Sequence, residues 1–199
     1  MKTQGGFIQQ VENLKSQFSI ECRPQDLLPI SNPMENDVID SHVNLLEPVI
    51  KASIDTSSLR QLALETMNLR YPEDTWLRIY TDGSQLQHQA NVGAGIHSSI
   101  FSFYFPVGKH LTAYDGEIEA IHTALKQLLL HLERFTKAVI LTDSRAAIES
   151  ISSSDPLPSI KIETCRKIIA QQKNYSKIIS LQWIPGHYQI CGKKGTNIP

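Results

Sequence analysis

The segment 137–144, KAVILTDS, constrains the fold of this chain more than any other stretch. Its apolar residues form one unbroken run, without the alternation of a strand that has one face in water. Such a run is typical of a strand buried on both faces at the centre of a sheet. Asp143 follows the run directly, and Ser144 begins a helical pattern. We therefore expect a sheet covered by helices, with this strand inside it.

The segments around this strand predict an α/β domain with a mixed sheet. Three strand-like runs come before it, WLRIYTDGS, NVGAGIHSS and IFSFYFPVG, and we interpret the Asp-Gly pair of the first as a turn that ends its strand. GEIEAIHTALKQLLLHL then places its apolar residues on one helical face. Two further helices, SRAAIESI and SIKIETCRKIIAQQK, and a strand, KIISLQWIPG, complete the order β-β-β-α-β-α-α-β. This order indicates three antiparallel strands followed by crossover units.

The beginning of the chain has a different texture. Prolines interrupt short apolar clusters in residues 1–56, and neither helical nor strand periodicity persists there. We interpret this part as a linker or remnant that is partly disordered and makes few contacts with the rest. Residues 57–73 have helical spacing behind a serine cap and form a connector helix. The main domain is then expected at 74–199.

Composition excludes several classes of protein. No apolar run approaches the roughly 18–20 residues of a membrane span, so we expect no membrane partner. The N-terminus lacks the apolar region of a secretory signal. Cys22, Cys165 and Cys191 are odd in number and widely spaced, which fits a reducing compartment, the cytoplasm or nucleus. These features predict an intracellular protein, and we expect a monomer.

Charge is distributed unevenly along the chain. The net charge is −1, but residues 1–75 carry 6 Lys and Arg against 11 Asp and Glu. Residues 76–199 carry 13 Lys and Arg against 9 Asp and Glu. A mildly basic second part is compatible with a partner that bears phosphates.

Three acids fall where ligand sites form in sheets of this kind. Asp82 is expected at the end of the first strand, Asp143 at the end of the central strand, and Glu117 in the first turn of the long helix. Ligand sites gather beyond the carboxyl ends of such strands, so these acids should lie together. Clustered carboxylates repel unless a cation neutralises them, and oxygen ligands suit Mg²⁺ or Mn²⁺. Two such ions about 4 Å apart can promote hydrolysis of a phosphodiester.

Each acid also has an ordinary structural interpretation. Asp82 fits a turn, Glu117 suits the N-terminal end of a helix, and Asp143 can cap one. The occurrence of all three in this order and context favours the metal site.

Five motifs, IYTDGS, the GAG strand, GEIEAIHTAL, ILTDSRAAI and WIPGH, resemble in order and spacing those of the type 1 ribonuclease H domain. They are most similar to the domain in the C-terminal part of non-LTR retrotransposon reverse transcriptases, and the resemblance covers about 74–192. LRQLALETMNLRYPEDTW also looks like the connector before that domain. The resemblance implies a ribonuclease H-like mixed five-stranded sheet flanked by helices. It also implies endonucleolytic cleavage of the RNA strand of RNA–DNA hybrids, with two Mg²⁺ or Mn²⁺ ions.

The resemblance also assigns roles to residues of the site. It makes Asp82, Glu117 and Asp143 the metal-binding acids, and His187 a mobile histidine that helps water activation or product release.

Substrate contacts follow from the shape of the hybrid and from the resemblance. A hybrid is close to A-form and displays 2′-hydroxyls in a shallow minor groove, where Gly83, Ser84 and Gly93 are expected to bind, together with Ser144. Basic residues on the last helix are candidates for contacts with DNA phosphates, or else simply form a solvated face. They are Lys161, Arg166, Lys167 and Lys173, and we take Arg166 and Lys167 as the candidate contacts.

The pattern breaks after the histidine. The ribonuclease H domain continues with Gly-Asn-Glu-x-Ala-Asp, whose last acid completes the metal site from a final helix. Gly192 matches this stretch, but Lys193 and Lys194 replace the Asn and Glu, and Asn197 stands at the fourth acidic position. An amide offers an oxygen without charge, so we expect one ion to be held poorly. We also expect the final helix to be missing, as in a frameshifted or truncated copy.

Three functions remain open on the sequence. The first is a metal-dependent ribonuclease H with impaired activity. The second is a catalytically inactive remnant that still binds RNA–DNA hybrid or double-stranded RNA. The third is a transposase or integrase of the same broad fold, in which the third acid normally follows at a longer interval and WIPGH has no explanation.

Overall fold

The computed structural model of the protein describes residues 6–18, 38–49, 54–86, 91–154 and 159–186. The chain divides into two compact units, 1–30 and 31–199. In the first unit, the described residues form helix α1 (Phe7–Gln17). None of the helices in the described ranges is long and apolar enough to cross a membrane.

The second unit contains the predicted alternation of elements, preceded by one more strand. Its elements are β1 (Asp40–His42), α2 (Thr56–Arg70), β2 (Leu77–Leu86), β3 (Asn91–Ser98), β4 (Ser102–Lys109), α3 (Ala113–Leu130), β5 (Lys137–Thr142), α4 (Arg145–Ser152), α5 (Ile160–Asn174) and β6 (Ile178–Trp183). A short 3₁₀ helix lies between α3 and β5. The order from β2 to β6 is the predicted one.

The strands form a single mixed sheet in the order β1-β6-β5-β2-β3-β4. β2, β3 and β4 pair antiparallel, whereas β2–β5, β5–β6 and β6–β1 pair parallel. The predicted mixed sheet is confirmed, but the predicted number of five strands is wrong. The sixth strand, β1, spans three residues. A strand of that length shows no alternation, and its pairing depends on the exposed edge of β6.

Strand β5 is the buried centre of the sheet, as its apolar run predicts. Every residue from Ala138 to Thr142 is buried. On one side, α3 packs against β2 and β3 and also contacts α4 and α5. On the other side lies α2, whose C-terminal neighbour Tyr71 reaches Ser180 of β6. Helices thus cover the sheet from both sides, which accounts for a strand without polar alternation.

The connector helix α2 is an integral part of this unit. Asp55 caps it, accepting from the amides of Ser57 and Ser58 at 3.0 Å, so the predicted serine cap is wrong. A carboxylate satisfies two of the amides left open at a helix N-terminus and suits the helix dipole. The apolar face of α2 is buried through Leu59 and Met67.

A buried polar network ties α2 to β6. The Gln182 side chain is fully buried, and its Oε1 accepts from Arg70 Nη1 at 3.0 Å and from the Tyr71 hydroxyl at 3.2 Å. Its amide nitrogen donates to the carbonyl of Asn44 at 3.0 Å. A buried amide is costly unless its partners are all in place, so this network fixes α2 and the segment after β1 against the sheet.

The segment 38–49 contradicts the expectation of few contacts for residues 1–56. β1 extends the sheet, Leu45 is buried in the core, and the amide of Leu46 donates to Thr66 Oγ1 of α2 at 3.1 Å. The predicted linker character of residues 19–37 falls outside the described residues.

A chain that begins at residue 74 is expected to be much less stable than one that begins at residue 38. It loses β1 and α2, which bury Leu45, Leu59 and Met67. Burial of each such side chain contributes about 2 kcal/mol, so the free energy of unfolding should fall by several kcal/mol. Urea unfolding followed by circular dichroism measures the difference. Equal midpoints for the two chains would show that the connector is dispensable for the fold.

Candidate active site

Asp82 and Asp143 are brought side by side by the parallel pairing of β2 with β5. The register sets Tyr80 opposite Leu141, and each acid follows two residues further along its own chain segment. Asp82 lies within β2, which runs on to Leu86, so the predicted Asp-Gly turn is wrong. The ordinary interpretation of Asp82 as a turn residue is excluded with it.

Two facing glycines bring α3 against β2. A Cβ atom on Gly83 would overlap the backbone of α3, with the carbonyl carbon of Gly116 2.7 Å away. A Cβ atom on Gly116 would lie 3.2 Å from the Cα of Gly83. Helix and strand therefore touch backbone to backbone, closer than side chains permit. This contact sets Glu117 beside the strand that carries Asp82.

Glu117 is one turn further into α3 than the sequence suggests. Thr112 caps the helix and forms a capping box with Asp115, which places Glu117 at the fifth helical position. The groups at the helix N-terminus are thus satisfied without Glu117. The position of Glu117 is therefore not explained by a need for negative charge at the N-terminus of α3.

The Glu117 carboxylate is buried and accepts a hydrogen bond from each of the strands β2 and β5. Oε1 accepts from the amide of Gly83 at 2.6 Å, and Oε2 accepts from the Thr142 hydroxyl at 2.9 Å. Burial above all, and then the charge of Asp143, raise the pKa of Glu117 to about 8, although the two hydrogen bonds act to lower it. Without a cation nearby, this carboxyl group holds its proton in the neutral pH range.

Asp143 is enclosed by the end of β6. The Trp183 indole Nε1 donates to the Asp143 carbonyl at 3.1 Å, and the amide of Ile184 donates to the Thr142 carbonyl at 2.8 Å. A Cβ atom on Gly186 would overlap the Asp143 carboxylate, so a glycine is needed where the chain passes it. The N-cap of α4 is Ser144 and not Asp143, which excludes the third ordinary interpretation.

The three acids form one cluster with the chemistry of a metal site. Asp82, Glu117 and Asp143 each offer a carboxylate oxygen, and these oxygens lie within 4.8 Å of one another. Asp82 and Asp143 are half-buried, whereas Glu117 is 5% exposed. Hard oxygen donors of this kind, partly open to solvent, suit a divalent cation such as Mg²⁺ or Mn²⁺.

Comparison with known proteins agrees with this geometry. The RNase H family model matches residues 74–196, which is more than half of the chain. The chain belongs to the RNase H family. Proteins of this family act on RNA–DNA hybrids and use divalent metal ions. The match confirms that the five motifs belong to an RNase H domain, whereas the likeness to the domain of retrotransposon reverse transcriptases stays a prediction.

A solved structure that resembles this RNase H domain is the RNase H1 from the halophilic archaeon Halobacterium salinarum NRC-1. It is 14% identical, covers 56% of this chain and 86% of its own, and has a TM-score of 0.44. No curated protein sequence matches the chain.

Two of the predicted substrate contacts lie next to each other on the sheet of the RNase H domain. Ser84 and Gly93 are cross-strand partners on β2 and β3, two residues along β2 from Asp82. Together with Tyr104 and Lys109 of β4, they line a cavity of about 450 Å³. Sequence patterning did not single out Tyr104 or Lys109, because the pairing of β4 depends on the register of the hairpin.

The other predicted contacts have structural roles. The Ser144 hydroxyl accepts from the amide of Ala147 at 3.2 Å and caps α4. Arg166 donates to the carbonyls of Ser150 and Ile151 at 2.9 and 3.0 Å, at the opposite end of α4. A cation at a helix C-terminus satisfies open carbonyls and complements the dipole.

The remaining basic residues of α5 are also paired within the chain. Lys167 lies 3.4 Å from Glu163, Lys161 pairs with Glu119, and Lys173 donates to the Val38 carbonyl at 3.2 Å. These contacts favour the interpretation of α5 as a solvated structural helix.

His187 and Asn197 lie outside the described residues, as do Lys193 and Lys194. The described part of the chain ends at Gly186, in contact with the Asp143 carboxylate. What the sequence missed is the support around the three acids, from Thr142, Trp183 and Gly186. Thr142 lies in the motif ILTDSRAAI, and Trp183 and Gly186 lie in WIPGH. Their contacts with the acids form only when the chain folds, so the motifs alone do not show them.

The Glu117→Gln variant is expected to be more stable than the native chain near pH 8 when divalent cations are removed by a chelator. The folded pKa of about 8 lies above the ordinary 4.5, so the stability that Glu117 contributes is fully present below pH 4.5. It is lost as pH rises through 8 and amounts to a few kcal/mol. Urea unfolding at pH 5 and pH 8 measures this, and the variant should lack the fall. An equal fall in the free energy of unfolding of both proteins would show that ionisation of Glu117 is not its cause.

The Gly186→Ala variant is expected to fold normally and to bind Mn²⁺ roughly tenfold more weakly, since displaced supports of a ligand commonly cost that much. The added methyl group overlaps the Asp143 carboxylate, which must rotate out of the cluster. Calorimetric titration with Mn²⁺ measures the affinity. Gly6→Ala serves as control, because its methyl group meets nothing within 4 Å. Native affinity in Gly186→Ala would show that Asp143 has room to rotate within the site.

Proposed function

We propose that this chain hydrolyses the RNA strand of RNA–DNA hybrids by metal-dependent endonucleolytic cleavage, as a type 1 ribonuclease H. One observation carries the proposal. Three carboxylates from two strands and a helix converge within 4.8 Å in a chain that belongs to the RNase H family. Neither a turn at Asp82 nor an N-cap at Asp143 accounts for these acids, and the N-terminus of α3 is capped without Glu117.

The donor set fits a pair of Mg²⁺ or Mn²⁺ ions. Asp82, Glu117 and Asp143 supply only oxygen ligands. Burial and, after it, the charge of Asp143 raise the pKa of Glu117, and a bound cation would offset both effects. When bound, such ions supply Lewis-acid stabilisation to phosphodiester hydrolysis. We assign the three acids as ligands of these ions.

The chain itself fixes one ligand and leaves two accessible. Glu117 is immobilised through Gly83 and Thr142, which hold both carboxylate oxygens. Asp82 and Asp143 are half-buried at the sheet edge, so a substrate phosphate can reach them. A rigid ligand beneath two accessible ones orients the site before the substrate arrives.

The substrate is inferred from the surroundings of Asp82. Ser84 and Gly93 present a hydroxyl group and open backbone beside it, and we assign them, with the Gly83 backbone, to the 2′-hydroxyls of the RNA strand. Such contacts distinguish RNA from DNA in the minor groove. We assign His187 to water activation or product release.

The fourth acidic position sets the expected level of activity. Asn197 brings no charge to that position, and Lys193 and Lys194 add positive charge nearby. Loss of part of the Lewis-acid stabilisation slows cleavage by orders of magnitude. We therefore propose impaired activity. The same three residues favour the second candidate, an inactive protein that binds hybrid or double-stranded RNA.

A cleavage assay on a hybrid with a labelled RNA strand tests the proposal. The native chain should cut the RNA internally with Mg²⁺ or Mn²⁺ and leave single-stranded RNA and duplex DNA intact. Asp82→Asn and Asp143→Asn should lower the rate by roughly 100-fold or more, because each removes a charged ligand. Glu133→Gln, on an exposed acid outside the cluster, is the matched control.

The outcomes separate the candidate functions. Binding of hybrid without cleavage by either metal supports the inactive remnant and overturns the enzymatic proposal. Joining of DNA strands indicates the transposase or integrase alternative. Cleavage that is equal in the native chain and the Asp82→Asn variant would show that the activity does not arise at this cluster.

The Asn197→Asp variant is expected to cleave hybrid severalfold faster than the native chain with Mg²⁺. The added carboxylate restores a charge at the fourth position, but Lys194 stays in place and limits the gain. The initial rate of cleavage is the measurement, and Asn197→Ala is the control without a charge. Equal rates for the native chain and Asn197→Asp would show that this position is not part of the metal site.

A further inference from the structure

The support of Asp143 depends on the orientation of one indole ring. Trp183 is 1% exposed, and its Nε1 donates to the Asp143 carbonyl at 3.1 Å. A buried indole N–H needs an acceptor, and this one lies on the residue that carries a carboxylate of the cluster. Any rotation of the ring therefore moves the backbone of Asp143 or breaks the bond.

Arg145 lies over the face of this indole. Its guanidinium carbon is 4.0 Å from the centre of the Trp183 ring. Arg145 is the first residue of α4, two positions after Asp143. The stack thus joins the start of α4 to the end of β6, on either side of the loop that carries the acid.

Stability alone does not account for an arginine at this position. Within the described ranges, its Nε and Nη2 atoms are buried and have no hydrogen-bond partner. Each such orphaned donor costs about 1–3 kcal/mol, and a cation at the N-terminus of a helix opposes the dipole. A methionine of similar length covers an indole without either cost. The stack on Trp183 is the favourable contact that the structure gives this guanidinium.

We propose that Arg145 is a positioning residue of the active site, whose guanidinium locks the Trp183 indole so that Nε1 holds Asp143 in the metal cluster. This inference rests on the proposed function, since it assigns Asp143 as a metal ligand. A planar cation restrains an aromatic ring by cation–π attraction and by parallel stacking, which neither lysine nor methionine provides together. Groups that orient a ligand commonly change metal affinity by 10- to 100-fold.

The test is a calorimetric Mn²⁺ titration of the protein without nucleic acid, at a pH where the native chain binds. Arg145→Met and Trp183→Phe should each lower the affinity roughly 10-fold, because each breaks the same line of support. Arg145→Lys should lie between the native chain and Arg145→Met. Thermal unfolding, measured in parallel, identifies any variant that fails to fold.

A double-mutant cycle distinguishes positioning from two separate structural roles. If Arg145 acts through Trp183, the double variant Arg145→Met/Trp183→Phe binds Mn²⁺ no more weakly than either single variant. Separate roles predict that the two losses multiply. Multiplying losses would overturn the inference.

A spectroscopic measurement tests the same line of support without metal. In a Trp76→Phe background, Trp183 is the single tryptophan. Arg145→Met should speed the decay of its fluorescence anisotropy, because the ring loses its restraint. An unchanged decay would contradict the locking of the indole.

Two controls keep this inference separate from the proposed function. Arg78 is an arginine whose side chain is 9% exposed, and it donates to the carbonyls of Tyr71 and Met67, so Arg78→Met should lower stability and leave Mn²⁺ affinity unchanged. Asp143→Asn should lower Mn²⁺ affinity. If it does not, the assigned metal site is wrong and the inference falls with it. If it does, while Arg145→Met and Arg145→Lys bind like the native chain, the positioning role alone is overturned.

Discussion

The architecture of the site depends on the backbone contact between Gly83 of β2 and Gly116 of α3. Side chains normally separate the backbone of a helix from that of a sheet, whereas glycine allows two backbones to approach closely. With both side chains absent at the crossing, the helix meets the strand directly. Glu117 then accepts from the Gly83 amide and the Thr142 hydroxyl. Pairing with β3 and β5 on its two sides holds β2 in place at this contact.

The sequence predicts the order of elements and the three acids because these features are local. An apolar run indicates a buried strand. An acid directly after the run indicates that the strand ends at a functional site. The pairing of β1 with β6 was missed because Asp40–His42 is too short to show a period. The Asp-Gly pair was mistaken for a turn because the reason for Gly83 lies across the structure, in α3. Local propensity cannot reveal a glycine required by a distant backbone.

The polar residues show the same limit more sharply. Arginine is a residue type that commonly contacts phosphates, yet the Arg166 guanidinium caps the C-terminal end of α4. Gln182 reads as a polar interruption of an apolar strand, yet it is the buried junction among α2, β6 and the segment after β1. In both cases the donors of the side chain are satisfied by backbone carbonyls, whose positions no sequence pattern displays. Side chains that hydrogen-bond to backbone are therefore the least predictable part of this site.

The burial of the Glu117 carboxyl group has a consequence for any attempt to stabilise the chain. Its raised pKa means that ionisation of this group lowers the stability of the fold at alkaline pH when no cation is bound. The same group is part of the three-acid cluster that the facing glycines accommodate. A screen that selects variants for stability alone is therefore expected to favour replacement of Glu117 and so to dismantle the cluster.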